Sequence, residues 1–310
     1  MRQIIVIIAS LLAFYGAPLI AKEAPTESQS AAEIRAASTS KQGALFRVRH
    51  AGHTLFLFGT IHVAKPDFYP LDENVLQALA RSSKLALEID PADVKKTQQA
   101  IRRYGFLSEG QTSQLAPELK ERLAAALKRQ NVPVEAVAQM KPWMLVVMLA
   151  LNEYAAQGYQ AELAVDAHLA RSARAQNKAI VALESADQQI SLLANLSMPD
   201  QLRMLEETLT DIEDGSGDKK IRRIIRLWRE ADAAGLELLS KEMAEDQTLS
   251  GRFLQQVLRD GRNPSLASGL EKLLKAEKNS LAGIGLLHLV GEGSVPALLS
   301  QRGYLVERIY

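Results

Sequence analysis

Along the chain, short apolar runs that stop abruptly alternate with stretches of helically spaced apolar residues. Ala44–His50 (ALFRVRH) alternates apolar and polar positions, and Thr54–Phe58 follows the turn signal Ala51-Gly52, which predicts a β-hairpin. The second strand of that hairpin stops at Gly59-Thr60-Ile61-His62. Pro66 and Pro70 keep the next loop extended, Leu71, Val75, Leu76 and Leu79 recur at helical spacing, and Leu85–Ile89 turns back into a strand. The unit reads strand, Gly-x-x-His loop, helix, strand, for which a parallel pair joined by a right-handed crossover is expected. Near the other end the pattern returns in miniature. Strand Leu281–Leu287 reaches His288 in a second Gly-x-x-His, Gly291-Glu292-Gly293 turns, Ser294 caps a helix through Leu299, and Tyr304–Ile309 closes as a strand. Read as a pseudo-repeat, the two units require the strands before His62 and His288 to lie close together and to end on the same side of one sheet.

Between the units the periodicity is helical. From Pro91 to about Ala161 helices break near Gly105 to Gly110 and at Asn131–Pro133, and Pro142 heads the run Trp143–Leu151 (WMLVVMLAL). That run is too short to span a bilayer and reads as a buried helix. Val165–Ala175 continues as helix, and Ala179–Glu184 (AIVALE) is a further strand ending on a carboxylate. Ser185–Leu258 returns to helices with a solvated turn at Asp214-Gly215-Ser216-Gly217-Asp218. Arg262-Asn263-Pro264 ends that block, and Ser265–Lys275 forms the helix that leads into the second motif. The long helical insertion is the candidate lid over whatever the two histidines serve.

Composition adds a compartment and removes several chemistries. Met1–Ala21 has the form of a secretory signal, with Arg2, the apolar stretch Ile4–Phe14 and a small-residue end at Leu19-Ile20-Ala21; residues 22–42 read as a flexible leader, and 43–310 as a single domain. Export to the periplasm or the medium is expected, with no stable membrane span after cleavage. The chain has no cysteine, which excludes disulfides and thiolate metal sites. Its 37 Lys and Arg against 36 Asp and Glu, or 36 against 36 without Arg2, argue against a nucleic-acid partner. HExxH, P-loop and GxSxG signatures are absent.

Candidate chemistry gathers at strand ends. His62 and His288 stand where apolar strands meet loops, a placement that presents an imidazole to a ligand. Of the other histidines, His50 and His53 flank the hairpin turn and His168 falls at a boundary position on a helix. Glu88, within LALEID, and Glu184, at the end of AIVALE, are carboxylates in apolar surroundings, so each needs a cation: a metal, or an arginine from a helix packed above. Asp90 reads as the cap of a helix beginning at Pro91.

The combination of GTIHVAKPDFYPL with LEID, the KPW of Lys141–Trp143, the VDAHL and LES segments, Arg262-Asn263 and the closing HLVGEGSVPALLSQRGYLVERI resembles the TraB/GumN family, to which the animal Tiki proteases are related. The resemblance spans roughly Gly43 to the C-terminus. It implies an α/β fold with a central mixed sheet and a large helical insertion, like erythromycin-esterase and ChaN-like proteins, with both motifs in one cleft. For the Tiki branch it implies divalent-metal-dependent proteolysis, and for the GumN branch an association with exopolysaccharide clusters. His62 and His288 fall on the motif histidines, Glu88 on the first-strand acid and Arg262 on the arginine before the second motif. Two departures stand out: Ala164 where glycine is commoner before the hydrophobic residue and Asp, and GLLH in place of GAGH, whose Leu287 would narrow the cleft.

The expectation is therefore a metal-dependent hydrolase acting on a peptide or other small polymeric substrate. In it His62, His288, Glu88 and Glu184 are candidate ligands of manganese, cobalt or zinc, and Glu88 and Arg262 are candidate catalytic groups. A metal-free variant, with His62 and Glu88 working as a pair, and a non-catalytic accessory or binding protein in polysaccharide assembly are the alternatives.

Overall fold

In the computed structural model, which describes residues 40–111 and 115–310, the apolar runs assemble into one six-stranded sheet. Its strands are β1 (Leu45–His50), β2 (His53–Thr60), β3 (Lys84–Leu87), β4 (Ala179–Ala182), β5 (Asn279–Gly285) and β6 (Leu305–Arg308), in the order β4-β3-β5-β2-β1-β6. β4, β3, β5 and β2 pair in parallel, while β1 is antiparallel to both β2 and β6. The sheet is therefore mixed. β3 and β5 are buried along nearly their whole length, as strands covered on both faces must be, whereas every residue of the edge strands β4 and β6 is at least partly exposed.

The helices are α1 (Glu73–Arg81), α2 (Val94–Tyr104), α3 (Pro117–Arg129), α4 (Pro142–Ala156), α5 (Val165–Ala175), α6 (Ala186–Ala194), α7 (Met198–Glu213), α8 (Ser216–Arg229), α9 (Ala233–Ala244), α10 (Asn263–Ala276) and α11 (Val295–Gln301). α4 is the apolar run WMLVVMLAL, and Trp143 through Val147, Leu149 and Ala150 are all buried. α8 follows α7 almost at once, through Gly215 at φ 68°, so the turn predicted at 214–218 is shorter than its five polar and glycine residues suggest.

The two Gly-x-x-His strands are immediate neighbours, with Gly59 opposite Ile284 and Thr60 opposite Gly285 in parallel register. Both histidines thus leave the sheet at its carboxyl edge, where an open α/β sheet binds its ligands. The expected pairing of β2 with β3 is corrected: β5 lies between them, because the long insertion returns the chain to the middle of the sheet. Three local corrections follow. β5 ends at Gly285, and Leu286–Leu289 winds into a 3-10 turn that carries His288. Asp90 caps no helix at Pro91; its carboxylate accepts from Ala92 N in a turn and pairs with Arg174, and α2 starts at Val94. Gln42, placed in the leader by composition, is buried and donates to Phe68 O. The signal sequence lies outside the described residues. Among those described, no helix is long and apolar enough to cross a membrane.

Candidate functional site

Four parallel strands deliver four polar side chains to one place. His62 follows β2, Glu88 follows β3, Glu184 follows β4 and His288 follows β5. Arg262 comes from above, at the start of α10, just after a π-helical stretch Phe253–Asp260. Wide turns of this kind recur at functional sites because they displace side chains from the ordinary helical period.

Arg262 ties the carboxylates together. Its Nη2 donates to Glu88 and to Glu184 Oε2, its Nε donates to Glu184 Oε1 at 3.0 Å, and Gln189 Nε2 donates to Glu88 Oε2 at 3.0 Å and Glu184 Oε2 at 2.8 Å. The arginine that a buried carboxylate pair demands is therefore present, and Glu184 spends both oxygens on Arg262 and Gln189. Glu88 keeps one oxygen toward the histidines: its Oε1 accepts from Gly285 N at 2.6 Å and lies 4.0 Å from His288 Nε2. Burial alone would raise the Glu88 pKa, but Arg262, the two imidazoles and the Gly285 N–H outweigh it and hold the carboxyl well below its ordinary range.

Both motif glycines have a steric reason. A Cβ on Gly59 would meet Leu286 Cδ1 at 2.7 Å and Leu286 Cα at 3.3 Å, so glycine there eases the close approach of β2 to the His288 turn. A Cβ on Gly285 would stand 3.1 Å from Glu88 Oε1, 3.3 Å from His62 Nε2 and 3.6 Å from His288 Cδ2, in the middle of the cluster. The hydrogen atom of glycine leaves that space open. It belongs to a cavity of about 20 Å³ lined by Thr60, Ile61, His62, Glu88, Ile224 and the Gly285–His288 segment. This is room for about one water-sized particle.

Each imidazole is held from behind. Asn263 Nδ2 donates to Gly293 O at 2.8 Å, so its Oδ1 is the atom facing His288 Nδ1 at 2.6 Å and must accept. Nδ1 of His288 then carries the hydrogen and Nε2 keeps its lone pair. Burial and the Arg262 charge pull the His288 pKa down to about 3, which keeps the ring neutral. His62 Nδ1 faces Asp166 Oδ2 at 3.4 Å, long for a hydrogen bond but close enough for a strong charge effect. Burial would lower the His62 pKa, yet Asp166 and Glu88 together raise it.

Asp166, Asn263 and Gln189 went unassigned in the sequence, although the first two lie within the VDAHL segment and beside Arg262. The remaining histidines stay outside the site. His168 stacks on Tyr69 with ring centroids 4.0 Å apart and His53 Nδ1 contacts Glu277 O at 2.9 Å, while His50 is exposed.

This donor chemistry suits a divalent cation. Two carboxylates, Glu88 and Glu184, share a single guanidinium, a third, Asp166, stands behind His62, and each imidazole has Nδ1 facing an oxygen and borders the space at Gly285 that Glu88 Oε1 also borders, as metal-bound histidines do. Among the described residues, however, no three His, Asp or Glu side chains stand in a ready-made ligand group. Glu88 Oε1 would have to draw closer to the two rings to complete one.

The sequence model of the TraB/PrgY/gumN family matches residues 44–308. The chain is 25% identical over 247 residues to the uncharacterized protein YbaP of Escherichia coli (strain K12), covering 78% of this chain and 86% of that protein. It is 24% identical over 317 residues to a metalloprotease TIKI homolog of Amphimedon queenslandica, covering 86% of this chain and 61% of that protein. No solved structure matches.

Proposed function

The chain belongs to the TraB/PrgY/gumN family, and we propose that it is a metal-dependent hydrolase acting on peptide bonds. The observation that carries this reading is the gathering of His62 Nε2, the His288 ring and Glu88 Oε1 around the open space at Gly285, in a cavity with room for one water-sized particle. The likeness to a protein described as a metalloprotease supports the choice of bond. His62, His288 and Glu88 would hold the ion, and nitrogen and oxygen donors without sulfur suit manganese, cobalt or zinc. Such an ion would supply Lewis-acid activation of water and of the scissile carbonyl.

The protein's own groups prepare that chemistry. Asn263 and Asp166 face the Nδ1 atoms and direct Nε2 of each ring inward. Arg262 keeps Glu88 ionised, which makes Glu88 a holder of positive charge and a poor base. Glu184 and Gln189 fix Arg262 and Glu88 in turn. Export from the cell and kinship of fold with erythromycin-esterase and ChaN-like proteins belong to the same proposal. A metal-free version has one observation in its favour: His62, with Asp166 behind it, has the raised pKa of a base able to take a proton from water directly.

The test is metal content of the mature protein purified without chelator, beside His62→Ala, Glu88→Ala and His288→Ala, together with a peptide and ester hydrolysis screen. Near-stoichiometric metal lost in all three variants, with chelator-sensitive hydrolysis, is the expected result. Hydrolysis without metal selects the His62–Asp166 version. A ligand bound and released unchanged, as an accessory protein of polysaccharide assembly would do, overturns both.

A further inference from the structure

The histidines line a small cavity of largely buried residues, and a far wider groove lies beside it. The groove holds about 470 Å³, within the roughly 300–1,000 Å³ of ligand clefts. One wall is the loop after His62, through Asp67 and Pro70, and the other is α8, through Arg222, Ile225, Arg226 and Arg229. Ile224, the neighbour of Ile225, lines the small cavity instead. The helical period explains the division: Ile224 faces the inner cavity, while Arg222, Arg226 and Arg229, with the equally buried Ile225, lie on the neighbouring face that lines the groove. One helix therefore separates a wide groove from the small cavity at the histidines.

Two observations mark the groove as a binding site. Arg222, Arg226 and Arg229 set three guanidinium groups along about 10 Å of helix at ~1.5 Å per residue, the length of roughly three extended residues. Their present partners are carboxylates in exposed pairs: Asp218 at 3.2 Å, Glu230 at 3.2 Å and Asp67 at 2.6 Å. Pairs of this kind are weak, and a ligand carboxylate exchanges for them readily. With Asp67 and Glu230 the acids of the lining against three arginines, the groove is positive on balance. Gln42, also in the lining, is only 6% exposed, and its Oε1 has no partner among the described residues. A buried acceptor in that state calls for an N–H or O–H donor.

We propose that this groove docks an acidic peptide, the carboxylates of its side chains on Arg222, Arg226 and Arg229 and its N–H groups supplying the donor Gln42 lacks, and that such a peptide is the substrate of the neighbouring His62 centre. The proposal rests on the hydrolase reading for what happens next, but the docking itself does not.

Binding is measured by calorimetry at low and high salt, using capped tetraglutamate and tetraglutamine peptides on the full chain, on Arg222→Gln/Arg226→Gln, and on His62→Ala. The two arginines are well exposed, so the double variant keeps the fold, which its thermal unfolding verifies. Tetraglutamate is expected to bind at least tenfold more tightly than tetraglutamine, to lose at least tenfold in the double variant, to weaken with salt, and to bind His62→Ala as it binds the wild type. Equal binding of the two peptides, indifference to the arginine substitutions, or no binding overturns the proposal. Glutamate-selective docking without any hydrolysis leaves the groove standing and removes the hydrolase, whereas hydrolysis with no preference for acidic peptides removes the groove.

Discussion

The two Gly-x-x-His arms leave neighbouring strands at the same edge, yet their histidines are different chemical objects. His288 is locked at 2.6 Å to the neutral Asn263, is 2% exposed and is driven neutral, with a pKa of about 3. His62 faces the charged Asp166 at 3.4 Å and has its pKa raised. Burial pushes both down, so the sign of the outcome is set by the group behind Nδ1 and by distance to Arg262. A motif fixes where an imidazole stands; the partner brought in by a remote helix fixes what it does.

The largest expected effect comes from removing what the arms share. Arg262→Ala leaves Glu88 and Glu184 buried without their cation, and a loss of about 3–5 kcal/mol is expected for breaking such a buried pair. Urea unfolding at neutral pH measures it. Arg262→Met with Glu88→Gln and Glu184→Gln should regain most of that loss, since the uncompensated charge goes with its partner. A single variant as stable as the wild type would show that the network holds neither arm.

A smaller effect tests the contrast directly. Asn263→Asp puts a carboxylate behind His288 and should raise its pKa, making the second arm resemble the first. Asp166→Asn should lower the pKa of His62, making the first arm resemble the second. NMR titration of the imidazole Cε1–H signals in chelator-treated protein reads both shifts. If Asn263→Asp leaves the His288 titration where it was, burial and Arg262 outweigh the group at Nδ1 and the explanation given for the contrast fails.

The arms also differ in how much of them the sequence shows. β2, β3 and β5 are legible because each is an apolar run ended by glycine or a carboxylate, and with them come His62, Glu88 and His288. Arg262 was marked by the residues around it. Asp166 was not, because in the first turn of α5 an aspartate is an ordinary helix-start residue, and only the packing of α5 on β3 and β5 brings it to His62. Asn263 is hidden for the same reason beside a more conspicuous arginine. The insertion of β5 between β2 and β3 leaves no local trace either, since strand order depends on where the long insertion returns. Nor does the π-helix before Arg262, which widens the turn without disturbing the apolar spacing enough to be seen.

The smallest effect is one of slope, and it has opposite signs in the two arms. His288 has a folded pKa of about 3, below its ordinary 6.5. Above 6.5 both folded and unfolded chains leave it neutral, and its contribution to stability is complete. As pH falls from 6.5 toward 3 the unfolded chain takes up a proton that the folded chain refuses, so stability declines by at most about 1.4 kcal/mol per pH unit from this group. His62, raised in the folded state, behaves the other way: its contribution is present below 6.5 and is lost as pH rises through its folded value. Chelator-treated His288→Gln should therefore show a shallower decline in stability between pH 6 and pH 4 than the wild type, whereas His62→Gln should follow the wild type there and lack the decline that the wild type shows as pH rises above 6.5. Parallel curves for the two variants would mean that the histidines titrate alike, and the distinction drawn between the arms would have to be abandoned.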